Sequence, residues 1–151
     1  MAIPGLESMA RRGNELPEKA EGAVPTSSSL NLVSYFIQMR EQYQVFHWQT
    51  TSFAQHKAFD GVFDELSGAI DHFMESYLGK YGRNVSSVKG PFRISLYDLG
   101  PSDPVDFTNN CIEYLEDQLP NLLDKEDTDL LNIRDDLLGN LNKLKYLLTL
   151  S

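Results

Sequence analysis

Between His47 and Glu75 the sequence places all three of its histidines among carboxylates whose spacing could hold a metal ion. His56 and Asp60 are four residues apart, as are Asp71 and Glu75, so on a helix each pair projects from one face and can grip one cation together. The whole line His56, Asp60, Asp64, Ser67, Asp71, Glu75 advances in steps of four, four, three, four and four, a single stripe along a helix. The centres of the two pairs are about 15 residues apart, roughly 22 Å of helix, so one ion cannot touch both. Two copies packed antiparallel across a two-fold axis would bring the His56/Asp60 end of one chain to the Asp71/Glu75 end of the other. That gives two equivalent sites per dimer, with Asp64 and Ser67 nearest the axis. Histidine with two or three carboxylates suits Fe(II), Zn(II) or Mn(II), whereas Ca(II) prefers oxygen alone. The plainer reading of the same line is a solvated edge beside an apolar stripe. His72 points about 100° away from Asp71 around the helix, a surface position.

Four amphipathic segments must position these groups. Leu32, Phe36, Met39, Tyr43 and Phe46 predict a first helix over about 29–50, interrupted by Thr50, Thr51 and Ser52. Phe59, Phe63, Leu66, Ile70, Phe73 and Tyr77 predict a second over 53–81, stopped near Gly79 and Gly82. Residues 82–102, with Gly90-Pro91 and Gly100-Pro101, are long for a turn and read as a crossover along the bundle, with a short extended piece at Phe92–Tyr97. Asp103-Pro104 opens a third helix with Val105, Cys111 or Ile112, Leu115 and Leu119 inward, and Pro120 should kink or end it. A fourth starts near Asp127-Thr128 and buries Leu130, Leu137, Leu141, Leu144 and Leu148. The expected fold is an all-α four-helix bundle over 29–151, with a long crossover between the second and third helices. Residues 1–28, rich in Gly, Pro and Ser and without apolar period, read as a flexible tail with no hairpin signal.

Composition narrows the function classes. At 151 residues the chain suits one domain with a real core. A net charge of −9, and a tail in which Arg11, Arg12 and Lys19 face Glu7, Glu15, Glu18 and Glu21, disfavour binding to nucleic acid. No long apolar run or signal peptide is visible, and Cys111 as the sole cysteine excludes an internal disulfide. A cytoplasmic protein without a membrane segment is expected.

The motif Phe46-His47-Trp48, followed by His56-x-x-x-Asp60 and then Asp71-x-x-x-Glu75, resembles the ferroxidase signature of the Dps-type mini-ferritins, members of the ferritin-like superfamily. Lys125–Leu131 also resembles the opening of that family's last helix, and the likeness spans about 30–151. This chain departs from the family in a shorter connection between His47 and His56. The resemblance implies a ferritin-like fold and a site in which His47, His56 and Asp60 of one subunit meet Asp71 and Glu75 of its two-fold mate. These five residues would be both the metal ligands and the catalytic groups, with the Trp48 indole beside the iron. It implies oxidation of Fe(II), by hydrogen peroxide or dioxygen, and storage of ferric iron in a dodecameric shell built from two-fold dimers, protecting against oxidative damage. Zinc would substitute at the site. The alternative is a non-catalytic ferritin-like structural or interaction protein.

Overall fold

Apolar residues at three- and four-residue steps build four helices, α1 Ser27–Gln49, α2 Phe53–Tyr81, α3 Pro104–Glu113 and α4 Thr128–Leu148. The computed structural model describes the backbone of residues 9–11, 14–16 and 27–150, and side chains from 32 to 150. The helices enclose one apolar core. Leu32, Phe36, Met39, Tyr43 and Phe46 of α1, Phe59, Leu66, Phe73 and Tyr77 of α2, and Leu130, Leu137, Leu141 and Leu144 of α4 are all buried. Aromatic rings dominate it: Phe36 meets Phe73 edge-on at 5.4 Å, and Phe46 meets Phe59 at 5.6 Å. Truncating one such ring to alanine typically costs about 3–5 kcal/mol, which makes α1 against α2 a rigid pair.

Helix α3 departs from regularity where proline requires it. Tyr114–Gln118 winds as a π-helix and Leu119–Leu122 as a 3-10 turn around Pro120, which has no N–H to continue an α-helix. The wider π turn leaves neighbouring Tyr114 and Leu115 both buried. Of the expected apolar face, Cys111, Leu115 and Leu119 are buried and Ile112 is half-buried. Val105 instead lies 37 % exposed. Thr108 is buried in this helix, donating its hydroxyl hydrogen to Pro104 O at 2.7 Å and accepting one from Tyr43 at 2.7 Å. Two further corrections concern Phe63 and Leu148, expected in the core but half-buried. Phe63 sits at the rim beneath the Arg40 guanidinium, 5.7 Å from the ring centre, while Val62 turns inward.

The crossover begins at Gly82, whose φ of 94° ends α2 with an N–H bond to Leu78 O. After a 3-10 turn at Arg83–Ser86 the chain runs beside α1. Phe92–Tyr97 forms no strand; glutamine side chains of α1 bind it instead. Buried Gln42 donates to Tyr97 O and accepts from Tyr97 N, both at 2.8 Å, as a second strand would. Gln49 accepts from Leu99 N at 2.7 Å and donates to Asp98 Oδ1 at 2.8 Å, and Gln38 accepts from Ser95 N at 3.4 Å.

The flexible tail expected over residues 1–28 lies largely outside the described residues. Within it, strands β1 Met9–Arg11 and β2 Asn14–Leu16 pair antiparallel, with Arg11 opposite Asn14, a hairpin unexpected from the sequence.

Candidate metal centre

Three residues, Thr50 to Ser52, join α1 to α2, and their hydroxyls make the turn. Ser52 caps α2 by accepting from Gln55 N at 3.2 Å; Thr50 Oγ1 accepts from Ser52 N at 3.1 Å and donates to Gln55 Oε1 at 2.7 Å. A connection this short forces the last turn of α1 against the first turn of α2. His47 and His56 therefore stack, with ring centres 3.9 Å apart and planes within 22°.

Each histidine is held by the other's main chain. His47 Nδ1 bonds His56 O at 2.9 Å, and His56 Nδ1 bonds His47 O at 3.2 Å. A carbonyl oxygen only accepts, so both Nδ1 atoms carry the hydrogen, and in the neutral rings both Nε2 atoms keep a lone pair. This is the tautomer and orientation that metal-bound histidines adopt when a backbone carbonyl fixes them.

The carboxylates continue outward from this pair. Asp60 is exposed one turn beyond His56, and Asp64, Asp71 and Glu75 are exposed further along the same unbroken helix, with Ser67 half-buried. Ser67 donates to Phe63 O at 2.8 Å. His72 is exposed, as its position around the helix requires. The fold thus brings His47 to His56 and leaves Asp71 and Glu75 roughly 22 Å down the helix from the His56/Asp60 pair. Among the described residues of one chain, no three or more His, Cys, Asp or Glu side chains gather into a metal-holding group. Trp48, beside His47, is 70 % exposed, and Phe53, on the other side of the turn, is 77 % exposed.

At the opposite end of α2 a second polar cluster is closed on itself. Buried Asp127 accepts from Lys80 Nζ at 2.9 Å, from Asp124 N at 2.9 Å and from the Tyr81 hydroxyl, while Lys80 also meets Asp129 at 2.7 Å. Desolvation pulls the Lys80 pKa down, but the hydrogen bonds and charges of Asp129 and Asp127 outweigh it and hold it above its usual value. The hydrogen bond from Lys80 holds the exposed Asp129 carboxyl below its usual range. Elsewhere, burial pushes the Cys111 thiol up to about 12 and raises the nearby Tyr35, Tyr43 and Tyr114 hydroxyls above their usual value. The glutamines of α1 did not stand out in the sequence, and Asp127 stood out only as the start of α4, not as the hub of this cluster. The usable signals were an acidic N-cap facing a helix-terminal lysine, and amides spaced for one helix face.

Residues 47–148 match a family described as a family of unknown function, DUF5856, and the chain belongs to it. The matched stretch opens on His47 and contains all five candidate ligands. The chain is also similar to an uncharacterized 14.6 kDa protein from the mobD-ri intergenic region of Enterobacteria phage T4. The two are 32 % identical over 105 residues, 69 % of this chain and 74 % of that protein. No solved structure matches. Among the described residues, no helix is long and apolar enough to cross a membrane.

Proposed function

We propose that this protein is a ferritin-like ferroxidase of the mini-ferritin type, oxidising Fe(II) at sites shared between two-fold related subunits and storing the ferric product. The observation that carries the reading is the mutual bond of His47 and His56, which leaves two oriented Nε2 lone pairs at the head of a carboxylate line. Two imidazoles with Asp60, joined by the partner's Asp71 and the partner's Glu75, make the mixed nitrogen–oxygen donor set that Fe(II) takes, with Zn(II) as a competitor. Iron is substrate here. Two Fe(II) ions give one electron each to one hydrogen peroxide, whose O–O bond breaks to give two waters with uptake of two protons. Holding both ions at one site lets both electrons pass without releasing hydroxyl radical.

The protein's own groups do simple work in this scheme. The histidine Nε2 atoms and carboxylates bind and orient the ions, and the carbonyls of His47 and His56 keep both rings from turning. A homo-oligomer follows from a site split between chains, and a dodecameric shell of two-fold dimers would hold the mineral. The acidic net charge favours cation uptake and works against binding nucleic acid. A cytoplasmic setting supplies Fe(II) and suits a lone reduced cysteine.

The test is anaerobic loading with Fe(II), then peroxide, followed by ferric absorbance and particle size. The parent should oxidise iron in a fast phase and keep it soluble in a large assembly. The double variant Asp71→Ala/Glu75→Ala should lose the fast phase by tenfold or more while keeping its helical content. Equal rates in parent and variant would refute the assignment.

A further inference from the structure

The crossover segment belongs to no sheet, yet between Phe92 and Leu99 α1 holds it by one edge only. The N–H groups of Ser95, Tyr97 and Leu99 all turn to glutamine side chains of α1, and Tyr97 turns its C=O the same way. Bonds on every second residue, with N–H and C=O of one residue on one side, are the pattern of extended backbone. Ile94 and Leu96 therefore face their N–H and C=O groups away from α1. Among the described residues nothing bonds them there. The side chains follow the same period. Phe92 and Leu96 are exposed and Ile94 is half-buried, and none of the three packs on the core.

This open edge is basic in an acidic chain. Residues 82–97 carry Arg83, Lys89 and Arg93 and no Asp or Glu, in a protein of net charge −9. All three cations are exposed, and among the described residues none is ion-paired. An unpaired edge is a template for an added strand, and the charge beside it selects what is added. Cations on an edge guard it against pairing with its own kind, which disfavours a second copy as the occupant. Three cations followed by Asp98, Asp103 and Asp106 also make a poor track for phosphates. A peptide rich in carboxylates meets neither obstacle.

We propose that Phe92–Tyr97 docks an extended acidic segment of another protein, added as a strand on the side away from α1. The main chain of that segment bonds Ile94 and Leu96, and its alternate apolar side chains lie on Phe92, Ile94 and Leu96. Its carboxylates are drawn by Lys89 and Arg93, with Arg83 adding to the field. The docking uses none of the five candidate iron ligands and stands apart from the iron chemistry.

The test uses the full chain and a synthetic peptide alternating glutamate with valine, with a lysine–valine peptide as the control. The acidic peptide should slow amide exchange at Ile94 and Leu96 while Ser95 and Tyr97 change little. It should bind about tenfold more tightly than the basic peptide at low salt. Leu96→Pro removes one outward N–H without touching the Gln42 bonds, and should weaken binding by about tenfold. Arg93→Glu, a change at an exposed side chain, should also weaken it by about tenfold and reduce its salt dependence. Equal binding of the two peptides, or exchange slowed at neither Ile94 nor Leu96, overturns the proposal. So does slow exchange at both residues before any peptide is added, which would mean that the chain covers its own edge.

Discussion

The two ends of α2 carry polar clusters of opposite character. At its C-terminal end Lys80, Tyr81, Asp124 and Asp127 satisfy one another within the chain. At its N-terminal end His47 and His56 spend their Nδ1 hydrogens on each other's carbonyls and present bare Nε2 atoms beside an exposed Asp60. Polar groups that close on themselves belong to the fold, because the buried Asp127 carboxylate is satisfied only by the neighbours that converge on it within the chain. Groups held in place by one atom and open at the other are free to bind something outside the chain, the role proposed above for the two histidines. The same helix therefore has a structural end and a proposed metal-binding end, and on that proposal they should respond differently to mutation, metal and pH.

The largest expected effect on stability is at the closed end. Asp127→Ala removes the acceptor shared by Lys80, Tyr81 and Asp124 N, leaves Lys80 its bond to Asp129, and should lower unfolding stability by about 1–2 kcal/mol, measured by urea titration. A loss below about half a kcal/mol would dissolve the contrast. At the open end, His47→Ala/His56→Ala should cost less in the metal-free protein. It should abolish the stabilisation by Zn(II), which for the parent is about 2.7 kcal/mol at a hundred times its dissociation constant. A Zn(II)-dependent rise in melting temperature that survives in the double variant would place metal elsewhere.

Gln42→Leu comes next. It leaves the Tyr97 N–H and C=O without their partner and should cost about 1–2 kcal/mol, with faster amide exchange over 95–99 than elsewhere. Smaller still are the titrations. Asp129 has a lowered pKa in the folded state, so the stability it adds is present above its unfolded value near 3.8 and fades as pH falls below that. Asp129→Asn should flatten only this acid limb of a pH–stability curve. Cys111 is the reverse case. Its raised pKa adds stability that is complete below about 9 and declines as pH rises towards about 12. Thiol reagents at pH 8 should label it only after unfolding.

Much of this architecture was legible along the chain. Steps of three and four marked the helices, because burial of one face demands that period, and Asp103-Pro104 marked the start of α3. Pro120 marked an interruption, but the π turn before it was not readable, and because Pro104 and Thr108 carry the inward face at the start of α3 without an apolar signal, Val105 was expected inward and Thr108 was overlooked. The crossover's partner was also hidden, since an irregular segment bound by glutamine side chains has no periodic signature of its own.

For the candidate site the division is sharper. Spacing alone determined that His56, Asp60, Asp71 and Glu75 share one face of one helix and that the two pairs are too far apart for one ion, because helical rise is a local property. Only the tertiary structure decided what the short turn does with His47. It stacks the ring on His56 and trades Nδ1 hydrogens for main-chain carbonyls, a contact between two helices that depends on how Thr50, Thr51 and Ser52 close the chain.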